Sequence, residues 1–323
     1  MKRINEYLQG ISQALFMKDP LFGALLLAAF TFCAPKLILS ALFASGIGFA
    51  YSARYSTPYL LKHYGLMTIN GFFFGIAMAS QYRQGPLYFF FLITGSLILP
   101  IITKAVFEVL QHWKLSPFIA PYLFLCWLIV LAARGAGLET ITMPATHASG
   151  PLALAILQTT FTSLGRMLFV PNAAFGVALF GLLLSFSARR AAYFVFGSLF
   201  ATILAYAAAR TEISQSAWAE GQYSFCAGLV GLGLASFPEK FSLRTIALFC
   251  GFSTFVALAS ESLLSTLQLP VLSAPYVATL WIACLSRVPK HQISWAPTGT
   301  APLPALALLA ATKRREPEPD RVA

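Results

Sequence analysis

Two glutamates are the side chains of this sequence best placed for unusual chemistry. Glu108 and Glu261 each stand inside a long run of mostly apolar residues, 153 positions apart. A carboxylate at membrane depth is expensive and marks function by default. For Glu261 the alternative, a structural bond to a loop backbone, is the expectation adopted. Glu108 follows Lys104 by four residues, the spacing of an ion pair on one helix face. An enzyme would need further titratable groups converging on these two, and the sequence supplies none. It has no Gly-rich phosphate loop after a strand, no HExxH and no Ser-His-Asp order. His147 stands alone in a loop-like segment and is expected to be solvated. Cys33, Cys126, Cys226, Cys250 and Cys284 fall in or beside apolar runs without CxxC or Cys/His spacing. They read as small buried hydrophobes rather than a zinc site or a disulfide framework. No metal, no cofactor and no enzymatic activity are expected.

What remains is hydrogen bonding without ionisation, beside many aromatic rings. The chain holds 29 phenylalanines, with Gln, Asn, Ser and Thr near glycines and prolines that interrupt apolar runs. Phenyl faces can pack against a flat molecule, while carbonyls and hydroxyls freed at helix breaks accept its hydrogen bonds. Such a lining suits a small neutral polar solute better than an ion.

The elements that would position these groups follow from composition. Hydrophobic residues make up 58% of the chain and charged ones 10%, against about 25% charge in a soluble domain. Uncharged runs at 37–53, 64–82, 84–103, 115–133, 167–188, 191–209, 221–238, 245–260 and 262–286 mostly approach or exceed the roughly 18–20 residues of a membrane-spanning helix. The chain therefore reads as an all-α polytopic membrane protein embedded in a lipid bilayer. Continuous rather than alternating apolar runs exclude a β-barrel, and the segment before Leu21 lacks the pattern of a cleaved signal peptide. The net charge of +11 lies in loops and tails rather than in a nucleic-acid patch. Lys2 and Arg3 at one end, with Lys313, Arg314 and Arg315 at the other, place both termini in the cytoplasm. That requires an even number of spans.

The sequence repeats itself. Ala120-Pro121-Tyr122 with Trp127 returns as Ala274-Pro275-Tyr276 with Trp281, 154 residues later. Gln13-Ala14-Leu15-Phe16 is answered by Arg166-Met167-Leu168-Phe169 after 153 residues, and Gly65 with Asn70 by Gly221 with Cys226 after 156. Three landmarks in one order imply a duplicated unit, with function expected where the copies meet. The halves are placed at 1–134 and 151–287, joined by a link at 135–150 and followed by a mostly disordered cytoplasmic tail at 288–323. Two units of five spans would satisfy the even count, and an odd-numbered unit must be inverted relative to its copy. Residues 1–19 form an amphipathic lead-in through Ile4, Leu8, Ile11 and Leu15. Gly65, Gly71 and Gly75 imply either close backbone approach or a broken helix at 65–75.

On these motifs the chain resembles the urea transporter family, up to about residue 287. The family's Gln/Glu-Val-x-Phe segment is matched by Gln13 to Phe16 and again by Arg166 to Phe169. Its Gly-rich Asn-Gly segment is matched by Gly65 to Gly75 and by Gly221 to Gly231. Its Thr-x-Pro-Phe segment is matched by Ile119-Ala120-Pro121-Tyr122 and Ser273-Ala274-Pro275-Tyr276. The resemblance implies two inverted five-span repeats, each with a re-entrant or tilted pore helix. They would form one pore per protomer of a homotrimer in the plasma (bacterial inner) membrane. It implies passive passage of urea, with the flat solute sandwiched by Phe16, Phe169 and Phe225. Ile69 occupies the fourth aromatic place, Leu229 a constriction with Phe73 opposite, and Ser273 the mid-pore hydroxyl. Three departures bear on the solute: Ile119 removes the other mid-pore hydroxyl, Ile69 a ring, and Arg166 an acceptor. Arg166 offers donors only, so it would meet the carbonyl, attract an anion, or snorkel toward headgroups. The alternatives to urea are accordingly another amide, an amine, ammonia or a small anion, or an embedded enzyme or scaffold.

Overall fold

The computed structural model describes residues 2–54, 64–141, 150–208, 212–237 and 241–286. His147 and the tail lie outside them. Residues Met1–Cys284 make up one compact unit.

The chain begins with α1 (Lys2–Ser12), tightened into a 3-10 turn at Gln13–Leu15. Phe16 then adopts the left-handed conformation, φ 57°, and turns the chain. Asp19 caps α2 (Pro20–Cys33), its Oδ1 accepting from Leu21 N at 2.8 Å and Phe22 N at 3.1 Å. Asp accepts from orphan N–H groups and Pro at the first position needs none, which fixes the helix start. The same construction recurs at α7 (Leu152–Arg166), Phe169 with φ 59°, and α8 (Ala173–Phe186) capped by Asn172. The axes of α1 with its turn and α2 are bent by 71°.

Between these lie α3 (Pro35–Arg54), α4 (Tyr64–Gln81), α5 (Pro86–Leu110) and α6 (Ala120–Ala136). After α8 come α9 (Ala188–Ala208), α10 (Glu212–Ala219), α11 (Ser224–Ser236), α12 (Leu243–Thr266) and α13 (Ala274–Leu285). Among the described residues, α3, α5, α9 and α12 are each long and apolar enough to cross a membrane, and the bent α1–α2 pair makes a fifth candidate. Helices α6, α8 and α13 are apolar but shorter. At 1.5 Å per residue the 14 residues of α8 reach only about 21 Å, less than a bilayer's hydrocarbon thickness of about 30 Å.

The outer surface carries the apolar side chains. Phe32 is 87% exposed, Leu39 75% and Leu248 70%, whereas α11 is buried from Ser224 to Ala235. Several buried hydroxyls bond back to carbonyls of their own helices, as Ser45 to Ala41 and Ser96 to Leu92, both at 2.6 Å. That satisfies them where no water reaches.

Of the two readings of 65–75, a broken helix or close backbone approach, the structure takes the second: α4 runs unbroken through Gly65, Gly71 and Gly75. A Cβ on Gly71 would lie 2.5 Å from the Ala44 carbonyl oxygen, and one on Gly75 2.2 Å from that of Ser40. α3 answers with a buried stripe of Ser40, Ala41, Ala44, Ser45 and Gly48, the small-residue packing of membrane helices. In the second half, α9 meets α11 in the same way, with Gly231 held against the Tyr193 carbonyl.

Candidate pore

Two short non-helical segments position the site. Lys114 and Phe118 hold φ of 56° and 47°, and Gln268 and Leu272, each 154 residues on, hold 52° and 48°. Non-glycine residues adopt such backbone at a cost of about 1 kcal/mol or more, so surrounding contacts must impose it. In the first half the contact is Asn70, fully buried in α4. Its Nδ2 donates to the carbonyls of Leu66 (2.8 Å) and Phe118 (3.0 Å), and its Oδ1 accepts from Tyr122 N (3.1 Å). Cys226 fills the equivalent place with a weaker contact, Sγ to the Leu272 carbonyl at 3.7 Å. The segments also bind each other reciprocally. Trp127 Nε1 donates to the Pro270 carbonyl and Trp281 Nε1 to that of Ser116, both at 2.8 Å. Pro121 and Pro275 are buried in the first turns of α6 and α13.

Two cavities open beside these segments. One, of 420 Å³, is lined by Arg166, Phe169, Glu220, Gln222, Phe225 and Ser273 among others. The other, of 710 Å³, is lined by Gln13, Phe16, Leu66, Ile69, Phe118, Ile119 and Tyr276, with Lys18, Asp19, Lys114 and Arg190 also contributing. Positions in the two linings correspond at offsets of 153–156: Gln13 with Arg166, Phe16 with Phe169, Leu66 with Gln222, Ile69 with Phe225, Ile119 with Ser273.

The aromatic groups differ between the cavities. In the larger one Phe16 meets Phe118 at 6.2 Å and Tyr276 at 6.3 Å between centroids, so two further rings surround the place where Ile69 lacks one. In the smaller one Phe169 and Phe225 line the space without packing ring against ring among the described residues. The Ser273 hydroxyl shares a hydrogen bond of 2.5 Å with the buried Tyr122 hydroxyl, and Tyr122 stacks on Phe73 with centroids 5.4 Å apart. The equivalent tyrosine, Tyr276, faces Ile119's half and has no hydroxyl partner among the described residues. Phe73 and Leu229 are buried in α4 and α11 and line neither cavity. Nor does Asn70, whose amide is occupied by backbone.

Arg166 neither snorkels nor stands free. Its guanidinium donates to Glu220 Oε2 at 2.5 Å and to Gln222 Oε1 at 3.0 Å, with the Arg166 and Glu220 side chains 24% and 20% exposed. Gln222 Nε2 donates to Glu261 Oε1 at 3.4 Å, and the Tyr223 hydroxyl donates to Glu261 Oε2. The expected bond from Glu261 to a loop backbone is therefore replaced by two side-chain partners. Glu108, by contrast, is 57% exposed and pairs with Lys104 at 3.8 Å. Among the described residues no cluster of three or more metal-ligating side chains forms.

Glu220, Gln222 and Tyr223 are not singled out by sequence: Glu220 lies 54 positions from Arg166 and just outside the repeated Gly221 to Gly231 segment, and Gln222 and Tyr223 lie inside it without a pattern that pairs them with Arg166 or Glu261. Tyr122 and Tyr276 are visible as part of the repeated Ala-Pro-Tyr, though not as hydroxyl partners.

The fold is that of an all-α membrane protein, with paired cavities lined by repeated motifs. The sequence model described as urea transporter matches residues 4–288, with a further match over 201–312. The chain belongs to the urea transporter family. No curated protein matches it.

Proposed function

We propose that this protein passes urea down its gradient, without coupling, along a path that joins the two cavities between the repeats. The observation that carries the reading is the correspondence of the two linings, joined to the family membership. A flat solute leaving water meets the Phe16, Phe118 and Tyr276 rings with the Gln13 amide at one end. It meets Phe169 and Phe225 at the other, with the Ser273 and Tyr122 hydroxyls between. Several weak sites in series allow binding without trapping, as conduction requires. The Gln13 side chain makes no hydrogen bond to the described residues, which leaves its amide oxygen to accept from a solute N–H.

The two halves, 1–134 and 151–287, are read as inverted repeats. Reciprocal bonds from Trp127 and Trp281, and left-handed residues recurring at 153–154, support that reading. Assembly as a homotrimer in the inner membrane, with cytoplasmic termini, belongs to the same proposal and rests on the family and on the terminal basic residues. The anion alternative loses its main support, since the Arg166 charge meets Glu220.

Stopped-flow light scattering on proteoliposomes tests the function. The expected result is fast, saturable urea efflux that does not change with a proton gradient. Efflux no faster than from empty vesicles, with protein shown to be folded, would sink it.

A further inference from the structure

Resting on the reading just given, we infer that Glu220 is the hydrogen-bond acceptor of the 420 Å³ cavity and that Arg166 is the residue that positions it. A solute rich in N–H groups needs acceptors along its path, and the Arg166 side chain offers donors alone. Glu220 lines the same cavity. Arg166 binds one carboxylate oxygen, Oε2, at 2.5 Å. The other, Oε1, has no hydrogen-bond partner among the described residues, so it can accept from the solute.

The surrounding contacts hold this arrangement. Gln222 accepts from the second guanidinium arm, and Glu261 with Tyr223 anchors Gln222 in turn. Arg166 is thereby held on both sides, and the carboxylate it grips cannot rotate away without breaking the pair. The positive charge is cancelled where it would otherwise draw an anion into the cavity. An arginine at this position is then compatible with a neutral donor-rich solute, because the acceptor comes from Glu220 instead.

The experiment uses the full protein in proteoliposomes with two probes, urea efflux and the entry of thiocyanate under a potassium gradient with valinomycin. Glu220→Ala should slow urea about tenfold, the loss of one charge-assisted hydrogen bond. Arg166→Gln combined with Glu220→Gln should recover urea flux to within about twofold of wild type, because the amide oxygen introduced in place of the guanidinium then accepts and neither changed position carries an unpaired charge. That recovery separates a lost acceptor from misfolding. Thiocyanate should enter vesicles carrying Glu220→Gln, in which Arg166 has lost its directly paired carboxylate, and not those carrying wild type. Unchanged urea flux in Glu220→Ala, or no thiocyanate entry in Glu220→Gln, overturns the inference. If wild type passes no urea, the transport reading fails, and the thiocyanate arm alone decides the role of Glu220.

Discussion

The two halves of this chain share a backbone and differ in the side chains hung on it. Left-handed residues at 16, 114 and 118 return at 169, 268 and 272. The tryptophan N–H bonds and the glycine contacts between α3 and α4 return between their counterparts. What does not return is the polar chemistry. The first half has a buried amide, Asn70, a Gln13 side chain open to the cavity, and isoleucines at 69 and 119. The second has Cys226, the Arg166–Glu220–Gln222–Glu261 network, Phe225 and the Ser273 hydroxyl. The recurring features are thus backbone conformation and close packing. The lining can vary on one side provided its hydrogen bonds are still met from elsewhere.

The largest difference between the halves should be in stability. Asn70→Ala leaves the Tyr122 N–H and the Phe118 carbonyl buried without their side-chain partner, at about 1–3 kcal/mol for each group. Cys226→Ala removes only a weak sulfur contact and should cost about 1 kcal/mol or less. Thermal unfolding of purified protein in detergent compares them. A drop for Cys226→Ala as deep as that for Asn70→Ala would mean that the sulfur holds its segment as firmly as the amide does, and the asymmetry would vanish.

That staple also marks how far the sequence can be read. The duplication, the helical class and the irregular start before Pro121 are legible because they depend on residue types at fixed spacing. Glycines at 65, 71 and 75 are ambiguous, since the same residue permits a break or a close contact. The choice is made by the small-residue stripe of α3, which only packing brings opposite them. The Arg166–Glu220 pair is hidden for a different reason. Glu220 precedes Gly221, which holds φ 73° within the turn between α10 and α11, and no local pattern links that turn to the last residue of α7. Likewise the family resemblance implies only a mid-pore hydroxyl at Ser273; its hydrogen bond with the Tyr122 hydroxyl is a contact across 151 residues.

A middle-sized effect is expected from the hydroxyls. Ser273→Ala leaves the Tyr122 hydroxyl unpartnered in the middle of the proposed path, and urea flux should fall about tenfold for one lost hydrogen bond. Ile119→Ser offers the same partner to Tyr276 in the other half. Placed together, the two changes move the hydroxyl pair from one half to the other, and flux should return to within a few-fold of wild type. A double variant as slow as Ser273→Ala alone would show that the halves, though equivalent in backbone, are not interchangeable in the path.

The smallest effect concerns the two glutamates at the 153-residue offset. Lys104 and Glu108 form a half-exposed pair one helical turn apart, and such pairs contribute no more than about 0.5 kcal/mol. Glu108→Ala should leave unfolding temperature and urea flux close to wild type. Glu261→Ala should do more, because Tyr223 loses its acceptor and Gln222 its anchor, freeing the arm that steadies Arg166. Lower urea flux in Glu261→Ala, with an unfolding midpoint reduced only modestly, would place Glu261 behind the cavity as a support for Arg166. Equal behaviour of the two variants would reduce both glutamates to surface charges and restrict the difference between the halves to the residues that touch the cavities.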